Sequence, residues 1–573
     1  MISSGSVGNV FFLVETVRAL AEMSGGLREI GEVTLPRSIF AGGMRTIIER
    51  RLEKMPMEYR PLLWQAAVYG RALDVVLLRA LNARAARPVN FDVWLSAGLD
   101  TAIFEIADGV PRFAHDKLRE ASIECIPKTE RAEVHRQVAF MLETLHRDSR
   151  PDAEAVLHHW SQAGNAEREL FYIPIVAAQQ IELSGRYHEA REILQRGLRL
   201  LDIHPDPLKQ RAILRLLGQA AFQLGEYRDA QKHRVAYLEA AETQHNRSAE
   251  ADARLALGET YAMLGSLERA VWYIRESLDL SEMLADLPLI AAANASLGVM
   301  YTQMGRYVVA AIHHRRALDL RRAHGDKRLV ADSLQAFGYN SILQGDDETA
   351  WEHNAEALAL CEALGDRNGQ AHALANLGSV FMFRGDYETA NSFFKRSMTL
   401  NDASGSWRGL CDDLNSFGYL AELRGNFDEA HSYYLRSIAI SRRIDAHWIY
   451  GITLNNLAFV AMQQTDYMAA KGYLSEALTT AFRQDERTIV MDALVGFARL
   501  SFQLNKFLDA AILLEFVRSR PEIAAATLLF RIKPLFREIE AVLPPEKLVS
   551  AQARSTTLEL DRVVQRLLSE DDD

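Results

Sequence analysis

Leu377-Gly378-Ser379-Val380-Phe381-Met382-Phe383-Arg384-Gly385-Asp386-Tyr387-Glu388-Thr389-Ala390 holds the pattern that organises most of this chain. Its pair Gly385/Ala390 recurs as Gly185/Ala190, Gly225/Ala230, Gly265/Ala270, Gly305/Ala310, Gly345/Ala350 and Gly425/Ala430, in steps of 40 residues without insertion or deletion. Thr465/Ala470 and Asn505/Ala510 keep the step and the alanine but change the glycine. Two positions after each turn residue stands a large side chain: Tyr187, Tyr227, Leu267, Tyr307, Tyr387, Phe427, Tyr467 or Phe507, with Asp347 the one departure. Seven positions before the turn runs another column: Gly218, Gly258, Gly298, Gly338, Gly378 and Gly418, then Ala458 and Ala498.

Each column has a physical reading. The turn glycine ends a helix, because a left-handed cap is easiest without a Cβ. The large residue fills the angle between two helices, and the alanine lets the second helix lie close to the first. The earlier glycine falls inside the first helix, where it costs about 1 kcal/mol relative to alanine and so points to a tight crossing. Ala371–Phe383 and Tyr387–Leu400 carry the apolar spacing of amphipathic helices, and the turns Gly325-Asp326 and Gly365-Asp366 separate repeats.

These columns resemble the tetratricopeptide repeat in a 40-residue form, over roughly residues 170–515. The resemblance implies an all-α fold: a right-handed α-solenoid of about eight to nine helix pairs, with a groove that binds proteins or peptides. Asn376, Asn415, Asn455 and Asn456 lie just before the glycine or alanine column. Thr453-Leu454-Asn455-Asn456-Leu457-Ala458 is similar to kinesin light chain repeats, which implies that these asparagines bind the backbone of an extended peptide. An amide offers both a donor and an acceptor for that role. The alternative is an asparagine bonded within its helix pair or simply solvated.

The first 165 residues lack the register. Gly8-Asn9-Val10-Phe11-Phe12, Leu35-Pro36 and Arg112-Phe113-Ala114-His115-Asp116 come in the order of the signal-transduction ATPases with numerous domains, which this region resembles. In that family a nucleotide-binding module precedes a helical piece, a winged helix and tetratricopeptide repeats. The resemblance implies a remnant of the ATPase helical subdomain at 1–25, a winged-helix-like domain at 26–125 and connecting helices at 126–165. The solenoid then spans 166–515, and capping helices with an acidic tail span 516–573. It also implies that His115 and Asp116 are a vestigial nucleotide sensor; the alternative is a structural histidine at a strand-to-helix junction. Val10 stands where the family has proline. No Gly-x-x-x-x-Gly-Lys-Ser/Thr occurs anywhere in the chain, so the phosphate cradle and its lysine are missing and no ATP hydrolysis is expected of this chain.

The 573 residues carry 49% hydrophobic and 25% charged side chains and a net charge of −11. Residues 1–135 balance 17 basic against 17 acidic side chains, so the acidic excess lies downstream and neither nucleic acid nor the winged helix on DNA is expected. Cys125, Cys361 and Cys411 have no metal-ligand spacing. His158-His159 and His313-His314 are adjacent pairs, whose side chains diverge on a helix, so no metal is expected and no cofactor is assigned. No catalytic triad or carboxylate pair stands out. Without an 18-residue apolar run or a basic leader after Met1, a cytoplasmic protein away from membranes is expected. The expected function is a protein- or peptide-binding sensor or scaffold in signal transduction, derived from such an ATPase but without its activity. Two alternatives are a regulatory subunit completing an ATPase in trans and a regulator responding to peptide.

Overall fold

The computed structural model describes residues 43–145, 152–444, 446–484, 486–520, 523 and 527–569. The expected remnant at 1–25, Leu35-Pro36 and the acidic end Glu570-Asp571-Asp572-Asp573 lie outside the described residues. The chain forms two compact units, Met1–Ala220 and Ala221–Asp573.

The first unit opens with helices α1 (Gly43–Glu53), α2 (Arg60–Tyr69), α3 (Val75–Arg84) and α4 (Phe91–Asp100), the last two capped by the side chains of Asp74 and Asn90. A hairpin follows, β1 (Phe104–Ala107) and β2 (Val110–Phe113), turning through Asp108 and Gly109 at φ 54° and 77°. Two successive positive φ values suit a two-residue turn whose twist matches the strands. Ala72 bridges to Arg112, so the hairpin stands as a small wing beside the helices. Trp94, Phe104 and Phe113 hold the wing down, with ring centroids 5.1 Å apart at each step. Helices α5 (Asp116–Glu124), α6 (Lys128–Leu145), α7 (Ala153–Gln162), α8 (Ala166–Ser184) and α9 (Tyr187–Leu201) complete the unit up to α10 (Pro207–Gln223), within which the division falls.

The second unit is the expected solenoid. After α11 (Tyr227–Thr243) come the pairs α12 (Arg247–Met263) with α13 (Leu267–Met283) and α14 (Leu287–Gln303) with α15 (Tyr307–His324). Then follow α16 (Lys327–Gln344) with α17 (Asp347–Leu364), α18 (Arg367–Phe383) with α19 (Tyr387–Ser404), and α20 (Trp407–Leu423) with α21 (Phe427–Arg443). The last pairs are α22 (His447–Gln463) with α23 (Tyr467–Gln484) and α24 (Arg487–Gln503) with α25 (Phe507–Arg518). Gly225, Gly265, Gly305, Gly345, Gly385 and Gly425 all take φ between 70° and 80°, and Thr465 and Asn505 adopt the same conformation at 58° and 62°. Each alanine of the column, from Ala230 to Ala510, is fully buried.

The glycine inside each first helix admits a side chain from sixteen residues on. A Cβ at Gly298 would stand 2.6 Å from the His314 ring, and one at Gly378 would stand 2.6 Å from Phe394. Ile274, Asn354 and Tyr434 lie in the same way against Gly258, Gly338 and Gly418. Side-chain caps mark the starts of first helices, at Asn246, Asp286, Asp326, Asp366 and Ser406. Where the large residue is lost, Asp347 instead pairs with Arg384 of the next repeat at 3.0 Å. After α25, a π-turn at Leu528–Ile532 leads into α26 (Lys533–Val542), α27 (Pro545–Ser555) and α28 (Leu560–Ser569). Ala551, Val563, Val564 and Leu567 of these last helices join the core of the final repeats and cover its apolar end.

Two glycines separate crossing from propensity. Gly378→Ala is expected to lower stability by about 1–3 kcal/mol, because the added methyl overpacks the crossing despite the better helix former. Gly472→Ala, in α23 with nothing within 4 Å of an added Cβ, is expected to raise it by about 0.5–1 kcal/mol. Urea unfolding of the two variants checks this; equal shifts would remove the crossing from the account.

Candidate functional site

The second unit curves enough that its early and late repeats meet. A Cβ at Gly265 would stand 3.0 Å from Cβ of Arg487. Between them lies a cavity of about 410 Å³ lined from the first helices by Met263, Gln303, Tyr339, Arg408, Trp448 and Thr488, with Tyr227 and Ile523. The first helices therefore face the concavity and the second helices back them.

One position on this inner face repeats at alternate repeats as Asp252, Asp332, Asp412 and Asp492, six residues before the helix glycine or alanine column. The side chain of Asp412 is reached by solvent, yet the surrounding helices fill most of its environment. Burial pushes its carboxyl up to about 6, with Arg408 opposing. Asp332 rises for the same reason against Arg321 and Arg328, and Asp492 is pushed up to about 6 against the Thr527 hydroxyl and Arg531. Seven residues further along each helix are Glu259, Tyr339, Tyr419 and Arg499; burial raises Glu259, although Arg234 opposes it and Ser296 donates to it at 3.2 Å. This acidic column was not anticipated from the sequence. Its signal was present as an 80-residue alternation within the 40-residue register.

The four asparagines fall into two columns, Asn415 with Asn455 and Asn376 with Asn456. Asn376 donates to Asn354 Oδ1 at 2.9 Å, on the preceding second helix. Asn415 donates to Cys411 O at 3.0 Å and Ser437 Oγ at 3.2 Å, and its Oδ1 accepts from Thr453 Oγ1 at 3.1 Å. One repeat later those two hydroxyl partners are replaced by Ala477 and Ala493. Asn455 is accordingly 4% exposed with both amide atoms unpartnered. Asn456 is half-buried and stands one turn before Phe459, on the side of the concavity.

In the first unit His115 caps α5, its Nδ1 accepting from the Lys117 amide at 3.1 Å, and Asp116 lies 3.5 Å from Arg71. His158 and His159 do not act as an isolated pair, since α6 brings in His135. The ligand-capable nitrogens of the three lie within 4.8 Å of one another, and His135 Nδ1 is 3.0 Å from His159 Nδ1. Two facing nitrogens share one proton, so the pair is held neutral. Burial, then His135 and His158, push His159 down to about 3; burial, His158 and Arg131 push His135 down to about 4. Three imidazoles could ligate a metal ion, but no carboxylate or thiol joins the group among the described residues. His313 and His314 separate: His313 Nδ1 meets Asn294, and His314 lies buried near Thr302.

Two expectations follow. Asn455→Val, which installs the residue found at 495 in the same column, should stabilise the protein by about 1–2 kcal/mol, whereas Asn415→Ala should destabilise it by about 1–3 kcal/mol. Thermal unfolding decides, and a destabilised Asn455→Val would mean the amide has a partner. His159 is neutral when folded but protonates when unfolded below about 6.5, so its contribution is lost as pH falls towards 3. Wild type should therefore lose about 1–2 kcal/mol relative to His159→Gln between pH 7 and 5, a difference absent if the ring is not buried neutral.

Residues 369–443 match one tetratricopeptide repeat model and residues 293–328 match another. No curated protein sequence matches the chain. Among solved structures the chain is similar to a signal-transduction ATPase with numerous domains carrying a tetratricopeptide repeat sensor, from Pyrococcus horikoshii. The identity is 18% over 77% of this chain and 65% of that one, with a TM-score of 0.50. The chain thus spans just under two thirds of that protein's length. It is also similar to the apo form of the quorum sensor NprR from B. thuringiensis, at 12% identity over 61% of this chain and 98% of that one, TM-score 0.43. A third is aspartyl phosphate phosphatase F from Bacillus subtilis, at 16% identity over 61% and 94%, TM-score 0.40. At such identities the likeness is one of fold: the chain carries tetratricopeptide repeats, in an architecture similar to that of the archaeal sensor ATPase.

Proposed function

We propose that the chain is a protein- or peptide-binding module whose concave face captures an extended partner segment, and that it serves as a sensor or scaffold in signal transduction. The inner-face column of Asp332, Asp412 and Asp492 carries this reading. A carboxylate raised by burial gains most when a donor reaches it, and an extended segment offers donors at every residue. The tyrosines beside these carboxylates, Tyr339 and Tyr419, add area that orders cheaply on binding. With no phosphate loop in the sequence, binding rather than nucleotide hydrolysis is the activity proposed. The sensor role rests on the likeness in fold to the archaeal protein's tetratricopeptide repeat sensor.

The test is affinity capture with the full chain as bait, followed by titration of the partner recovered. Asp412→Ala, Tyr339→Ala and Asn456→Ala on the inner face should each weaken the partner by about 1–3 kcal/mol. Trp351→Ala, exposed on the second helix α17, should leave affinity unchanged. A partner lost with Trp351 and kept by the inner-face variants would place binding on the convex side and overturn the proposal.

A further inference from the structure

Beyond α25, Ile523 and the residues from Thr527 to Arg531 lie on the inner face. Ile523 is buried and lines the cavity with Tyr339, Arg408 and Trp448. Thr527 Oγ1 donates to Asp492 Oδ1 at 2.5 Å. Leu528 Cδ2 would lie 3.9 Å from a Cβ on Gly305, across the concavity from its own repeat. The π-turn then sets the Arg531 guanidinium 3.8 Å over the Phe459 ring, with Nη1 3.2 Å from Glu422 Oε1 and Tyr419 at 5.8 Å. Arg531 and Glu422 are only 20% and 13% exposed.

The residues that receive Arg531 depart from the repeat in ways that suit a guanidinium. At Asp332 and Asp412 the repeat supplies its own cation four residues earlier, as Arg328 and Arg408; before Asp492 the same position is Thr488. Glu422 is the only acid in its column, where the other first helices of the second unit carry Ala262, Thr302, Ile342, Met382, Met462 and Phe502. Two carboxylates without a cation at that repeat position thus flank an aromatic face, and a planar cation stacks on the ring, pairs with Glu422 and acts on Asp492 through its charge.

We propose that Tyr419, Glu422, Phe459 and Asp492 form an arginine-recognition subsite of the groove, taking a partner segment that presents arginine beside aliphatic residues, and that the segment Thr527–Ile532 is its resident competitor. The proposal rests on the reading of the groove as a peptide receptor. A tethered segment competes at an effective concentration in the millimolar range for short flexible linkers, so a partner must outbind it or find it released.

The probe is a fluorescent synthetic peptide of residues 523–533, titrated against the full chain by anisotropy. Thr527→Ala with Arg531→Ala should release the resident segment and raise affinity for the peptide at least about tenfold over wild type. Adding Glu422→Gln to that variant should abolish the gain, and a peptide with lysine in place of Arg531 should bind about tenfold more weakly. Equal binding to wild type and the released variant, or equal binding of the lysine peptide, overturns the proposal. Hydrogen exchange of residues 527–532 separates two failures while also checking that the repeats remain folded. Faster exchange with no gain in peptide binding defeats the receptor reading itself, whereas unchanged exchange and unchanged binding defeat only the resident segment and its subsite.

Discussion

Where five first helices of the second unit cross their second helices, a hydrogen atom rather than a methyl group lies between them. That close approach, at Gly258, Gly298, Gly338, Gly378 and Gly418, is the constraint on which the rest of the solenoid depends. The partner against the glycine varies from Ile274 to His314, Asn354, Phe394 and Tyr434, so the glycine is the fixed element and the plug is free. In the last repeats Ala458 and Ala498 take over, and Gly496 clears space for Leu474 from the neighbouring position. An alanine column buried to 0% holds the opposite side of each pair. With both contacts repeated along the array, successive repeats stack on one another by the same local rule, and their stacking builds a curved wall.

Curvature gives the inner face its chemistry. Aspartates that would titrate normally on a lone helix are raised because the surrounding helices displace much of the water around them, as at Asp412 and Asp492. The same enclosure lets a segment more than a hundred residues downstream of Glu422 reach it, as Arg531 does. The wall is therefore electrostatically specific repeat by repeat, although its backbone is nearly uniform.

The glycine and alanine columns were legible because each answers to a backbone requirement within one repeat: positive φ or close approach. The asparagines were only half legible. Asn415 and Asn455 occupy the same column, yet one is fully bonded and the other is orphaned, because their partners lie 22 and 38 residues downstream and change from Ser437 and Thr453 to Ala477 and Ala493. The argument that adjacent histidines diverge held for His313 and His314 but missed His135, which arrives on a different helix.

The sequence by itself determined the repeat length, the helix boundaries, the crossing glycines and the absence of a phosphate loop, since these depend on spacing within the chain. Only the tertiary structure decided which side chains face the concavity, which of them lose water, and where the segment after α25 goes. Those outcomes depend on the summed angle between successive repeats, and a small rotation repeated along the array sets Gly265 beside Arg487 although no local pattern links them.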